Sequence, residues 1–232
     1  MDEHGHFTYG DIPGIFLGRT GTGPMCIAWD TNVLLDYLEY GFHMWDGREI
    51  PVKEGKYRDD LEALDALLNA YILLDLRFFL FDRALVDAKK SLTAERRHQR
   101  ELAIERFAEA LFFADYEIPD HNSDPDLMQP ETVSMGYENH RHAQRLALLP
   151  DGHDRMLVME ALDRDIHVFM TRDRGILKNA EVFKEIGLLL VSPGGLCDLI
   201  DEAEIPLPAL PAPDLARVGR IIQALGEYVD GE

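Results

Sequence analysis

Four acidic residues stand where strands end or helices begin: Asp30, Asp87, Asp154 and Asp173. Asp30 closes the apolar run Met25-Cys26-Ile27-Ala28-Trp29, after which a helical stripe resumes at Val33, Leu34 and Leu38. Asp173 follows a second apolar β-prone run that ends at Met170-Thr171-Arg172. Asp87 lies just after Phe78-Phe79-Leu80-Phe81, and Asp154 opens a helical run that reaches Leu162. Open α/β sheets carry their ligands beyond the carboxyl ends of their strands, so these positions point to one cluster. Gathered carboxylates bind hard cations. Mg²⁺ asks for octahedral oxygen at about 2.1 Å and keeps several waters, which a loose ring of acids supplies better than a tight cage. Asp30, Asp87, Asp154 and Asp173 fit such a ring for Mg²⁺ or Mn²⁺, with Asp151 the chief rival to Asp154. Taken singly, each acid equally suits a helix cap or a turn.

The elements that must position these acids follow from hydrophobic periodicity. Apolar runs at 26–29, 76–81, 166–170 and 188–191 alternate with helical stripes, which predicts an α/β fold of three layers with a central parallel sheet. Asp59 or Asp60 is expected to cap a helix whose stripe is Leu61, Leu64, Leu68 and Tyr71. Further helices are expected over 83–113, 138–148, 154–162 and 174–183, and Ser192-Pro193-Gly194-Gly195 is read as a turn. Residues 1–24 form an N-terminal extension whose apolar patch, Ile12 to Leu17, serves as an edge strand or a strap. Residues 25–202 form the domain, with a loop-rich insert near 115–136 that is either disordered or a lid. Residues 203–232 are a Pro-rich linker and a C-terminal helix with the stripe Leu215, Val218, Ile222, Leu225 and Val229. That stripe must be buried on its own domain or on a partner chain, the latter making a homo-oligomer. Gly18 to Gly23 lacks the Gly-Lys-Ser/Thr ending of a phosphate loop and precedes its strand, so it is read as a flexible turn.

Trp29-Asp30-Thr31-Asn32 at the first strand tip, the acid Asp87, the acid Asp154 before a helix and Thr171-Arg172-Asp173 together resemble the PIN domain. The resemblance spans roughly residues 25–193 and departs from the family pattern at Asp87, where Glu is usual. It implies a metal-dependent ribonuclease in which Asp30 and Asp173 hold Mg²⁺ or Mn²⁺ most directly and Asp87 and Asp154 complete the ring. It also implies that Thr171 and Asn32 orient the carboxylates and water. Arg172 is then a candidate phosphate contact or the partner of one of the acids. Lys89, Lys90, Arg96 and Arg97 form a basic patch near Asp87 that either binds RNA or is a solvated helix face.

Charge opposes this reading. Lys plus Arg total 23 against 43 Asp plus Glu, a formal net charge of −20 that repels a polyanion at long range. A non-catalytic PIN-like scaffold for a protein partner or inhibitor is the alternative that this charge favours. A haloacid-dehalogenase-like phosphatase would need a second Asp where Asn32 stands. Two cysteines, Cys26 and Cys197, make neither a disulfide framework nor a zinc motif, which points to a reducing, cytoplasmic setting. The N-terminus is unlike a signal peptide, and no apolar run approaches the roughly 20 residues of a membrane span. Histidines at 121, 140, 142 and 153 are read as solvated rather than as zinc ligands, His140 and His142 being expected on different helix faces.

Overall fold

The computed structural model describes residues 6–45, 47–71, 74–88, 137–205 and 207. Its central sheet has four parallel strands: β3 (Met25–Trp29), β4 (Leu76–Phe79), β5 (Val168–Met170) and β6 (Leu189–Val191), in the order β4-β3-β5-β6. Strands β1 (Phe7–Thr8) and β2 (Thr22–Gly23) form a separate antiparallel pair. Successive side chains of a strand point to opposite faces, yet Ile27, Ala28 and Trp29 of β3 and Val168, Phe169 and Met170 of β5 are all buried. Both faces of the sheet are therefore covered, as the near-continuous apolar runs require.

Nine helices of the described residues cover it: α1 (Pro13–Phe16), α2 (Thr31–Trp45), α3 (Lys56–Ala70), α4 (Asp82–Ala88), α5 (Ala143–Leu146), α6 (Gly152–Asp163), α7 (Arg174–Leu177), α8 (Ala180–Lys184) and α9 (Pro193–Glu202). Helix α3 packs on α9, while α2 packs on α4 and α4 on α6, giving the three-layer α/β/α arrangement. The chain leaves β3 toward β4 on one side and later returns to β5 on the other. The carboxyl ends of β3 and β5 thus flank the switch point where such sheets place ligands.

Several local expectations are corrected. Helix α3 begins before Asp59, with Gly55 as its N-cap at φ 140°, a conformation that L side chains resist. Asp60 is instead buried and accepts a hydrogen bond from the Gly194 N–H (3.1 Å) in the first turn of α9. The Ser192-Pro193-Gly194-Gly195 segment is not a turn before a helix but its start: Ser192 Oγ caps α9 by accepting from the Gly195 N–H (3.2 Å), and Pro193 occupies the first turn. Ser192→Ala should cost about 1 kcal/mol, a loss of a few degrees in Tm by calorimetry. The helix expected over 174–183 is two short ones, α7 and α8, separated around Asn179, whose side chain donates to the Gly175 carbonyl (2.9 Å). The helix expected over 138–148 shrinks to a 3₁₀ turn, Tyr137–Asn139, and α5.

The N-terminal segment is part of the domain in packing terms, because Phe7, Ile12, Ile15 and Phe16 are buried in the same core as the sheet. Arg19 ties it down, donating to Asp165 (2.7 Å) and to the Gly187 carbonyl (3.2 Å). The basic patch Lys89, Lys90, Arg96 and Arg97, the 115–136 insert and the C-terminal stripe lie outside the described residues. Among the described residues no helix is long and apolar enough to cross a membrane.

Candidate functional site

Asp30 ends β3 at the sheet's carboxyl edge. Its N–H donates to the Met170 carbonyl (3.0 Å), which carries the β3–β5 ladder to the site, and its carbonyl accepts from Val33 and Leu34 to start α2. Only 4% of Asp30 is exposed. Three donors hold its carboxylate: the Thr31 N–H on Oδ1 (2.6 Å), and the Thr171 hydroxyl (2.5 Å) and Asn32 side-chain amide on Oδ2. Burial nevertheless pushes its pKa up to about 6, and the charges of Asp154 and Asp173 add to the rise.

Thr171 is fully buried at the next strand tip, and its Oγ is a junction. It donates to Asp30 and accepts from Asn32 Nδ2 (3.1 Å) and from the Asp173 N–H (3.0 Å). Asn32 in turn accepts the Arg172 N–H on Oδ1 (2.9 Å). This network positions the two strand tips against each other. It also fixes the amide of Asn32 as a donor toward Asp30, leaving no second acid there for the phosphatase alternative.

Asp173 is exposed and serves as N-cap of α7, its Oδ1 accepting from Gly175 (2.5 Å) and Ile176 (3.3 Å). Asp151 caps α6 with bonds from His153 (2.7 Å) and Asp154 (2.9 Å). The Asp151 backbone favours the ionised form of Asp154, but more weakly than burial and neighbouring acids oppose it. Asp154 is half-buried. Its pKa rises to about 6, through burial first and then through repulsion from Asp151 and Asp173. The rivalry between the two acids thus resolves by role: Asp151 is the cap, and Asp154 stands within electrostatic reach of Asp30 and Asp173.

The structure therefore brings Asp30, Asp154 and Asp173 into one electrostatic neighbourhood. Asp87, on α4, is engaged by the imidazole of His153 on the first turn of α6. Arg172 pairs with Asp36 on α2, through Nε and through a second nitrogen at 2.7 Å, so its acid partner lies outside the expected four. Sequence reasoning missed Asp36 and Tyr57, and it read as solvated a histidine, His153, that the structure sets against Asp87. Asp36 had a legible signal: it lies one helical turn beyond Asn32, an acid within the apolar start of α2.

Among the described residues, no group of three or more His, Cys, Asp or Glu side chains is arranged to hold a metal ion. The bonding accounts for part of this, since Asp30 and Asp173 lean on backbone donors and Asp87 meets His153. His140 and His142 are neighbours, with ring centroids 5.4 Å apart, rather than on separate helix faces, and His140 pairs with Asp163 (2.9 Å). Comparison of the chain with family models, curated proteins and solved structures finds no match.

Proposed function

We propose that this protein is a divalent-metal-dependent hydrolase of RNA phosphodiesters. One observation carries the reading: three carboxylates, Asp30, Asp154 and Asp173, share one electrostatic neighbourhood beside the switch point of a parallel sheet. The PIN resemblance supplies the substrate class. The donor set suits Mg²⁺ or Mn²⁺, because it is all oxygen and Mg²⁺ is commonly held by one or two carboxylates plus substrate phosphate rather than by a closed protein cage. Two of Asp30, Asp154 and Asp173 would hold the ion together with substrate phosphate, since no three acids among the described residues are arranged to hold it. When bound, it supplies an activated water and offsets charge on the phosphate oxygens.

The chain's own residues divide the remaining work. Thr171 and Asn32 hold Oδ2 of Asp30, which fixes the direction of its carboxylate. Asp173 commits Oδ1 to α7 and leaves Oδ2 for the centre. The test is cleavage of a fluorescent single-stranded RNA with Mn²⁺, Mg²⁺ or chelator, using wild type and Asp154→Asn. Metal-dependent cleavage that falls roughly 10- to 100-fold in the variant supports the reading. Cleavage that ignores both chelator and the substitution would rule it out.

A second reading, a PIN-like scaffold for a protein partner, is favoured by the net charge of −20 and by the carboxylates being engaged by protein donors. Absence of cleavage, together with no thermal shift on adding Mn²⁺, would select it.

A further inference from the structure

Arg172 lies between Thr171 and Asp173 in sequence and is anchored to α2 at two points. Its backbone N–H donates to Asn32 Oδ1 (2.9 Å), and its guanidinium forks onto Asp36, one helical turn further along the same face. The cation also lies over the ring of Tyr57 on α3, 4.3 Å from the centroid, and the Tyr57 hydroxyl donates to Asp36 Oδ1 (2.8 Å). Asp36 is 4% exposed, and the guanidinium edge it accepts from is thereby committed within the protein.

The consequence is geometric. Asp30 immediately precedes α2, and Asp173 immediately follows Arg172, so any slide of the β5–α7 segment along α2 changes the spacing of the two acids. Asn32 would turn with such a slide, because its other end holds both Asp30 and Thr171. A planar fork stacked on an aromatic face resists sliding in a way that a point charge does not. We propose that Arg172, gripped by Asp36 and Tyr57, is a positioning residue that sets the spacing of Asp30 and Asp173 rather than a group that binds substrate phosphate. The kinetic side of this inference rests on the hydrolase reading above. The geometric side does not.

The experiment compares wild type with R172K, R172Q, D36N and the double variant D36N/R172Q, all assayed below their melting temperatures. One measurement is steady-state Mn²⁺-dependent RNA cleavage. The other is the position of the Asn32 side-chain amide signals by nuclear magnetic resonance, which needs no activity. Positioning predicts that kcat falls about 100-fold in R172Q and D36N and about tenfold in R172K, with KM nearly constant, since misplacement of about 1 Å can cost that much. It predicts that the double variant falls little further than either single one, because both remove the same device. The Asn32 amide signals should shift in every variant. If R172K alone folds well, its kcat and its Asn32 signals decide the matter.

A rise in KM with kcat unchanged would mean that Arg172 touches substrate, and overturns the proposal. Unmoved Asn32 signals overturn it too, whatever the kinetics. Inactive wild-type protein whose Asn32 signals move in the variants upholds the clamp and removes the hydrolase reading instead.

Discussion

Asp30→Asn is expected to lower metal-dependent cleavage by at least about 100-fold, at or beyond the upper end of what losing a metal ligand's outer partner costs. Its effect on stability should depend on pH and on metal. The carboxyl of Asp30 has a folded pKa raised from 3.8 to about 6 by burial, so folding favours its protonated form. Its contribution to stability is full below pH 3.8 and is lost as pH rises through about 6. At neutral pH the ionised carboxylate therefore costs on the order of 3 kcal/mol.

Asparagine removes that cost but brings another. Three protein donors converge on the two oxygens of Asp30, and an amide has one oxygen, so its NH₂ must face a donor. An unsatisfied or opposed buried polar group costs about 1–3 kcal/mol. At pH 7.5 in chelator the two effects nearly cancel, and the melting temperatures should lie within a few degrees. At pH 5 the variant should melt clearly lower, because the hydroxyl oxygen of the protonated wild-type carboxyl can still accept a hydrogen bond where the variant's NH₂ cannot. Millimolar Mn²⁺ should raise the wild-type midpoint alone. Calorimetry at both pH values, with and without Mn²⁺, reads all four conditions. A variant that gains as much from Mn²⁺ as wild type would remove Asp30 from the metal site.

Acid should unfold the protein through His167. Its Nδ1 accepts the Cys26 N–H (2.9 Å), so the ring proton sits on Nε2, and protonating Nδ1 would set two N–H groups face to face. Burial, and then the charge of Arg19, lower its pKa to about 4. The unfolded chain takes up this proton near pH 6.5, so the stabilisation is complete above that value and is lost as pH falls toward about 4. The loss amounts to roughly 3 kcal/mol. Asp30, Asp65 and Asp154, each raised to about 6 chiefly by burial, act in the opposite sense over part of the same range.

The difference between wild type and His167→Asn isolates the histidine. Asparagine offers Cys26 an acceptor that does not titrate, though it gives up ring packing against Tyr9 and Phe16, both 5.1 Å between centroids. Urea midpoints should therefore show His167→Asn less stable at pH 7.5, with the deficit shrinking or reversing toward pH 4. A deficit that stays constant from pH 7.5 to pH 4 would mean that His167 does not titrate in this window.

Residue order alone determined the parallel sheet and the acids at its carboxyl edge. Strands buried on both faces must read as continuous apolar runs, and a run that stops at Asp30 or leads through Thr171 to Asp173 marks its own tip. Strand ends in the structure differ from the apolar runs by one to two residues, as at Val168–Met170 and Leu76–Phe79.

Tertiary structure decided what each acid does. Asp151 and Asp154 are the same residue type three positions apart, and only the start of α6 makes one a cap and leaves the other beside Asp30. Asp60 looked like a cap of its own helix and instead receives the N-terminus of α9 from 134 residues away. Arg172 suited either a phosphate or one of the four acids, but its fork closes on Asp36 across 136 residues. Periodicity reports which face of an element is apolar. It carries no information about which polar group on another element completes a hydrogen bond there, and that choice is made only when the layers pack.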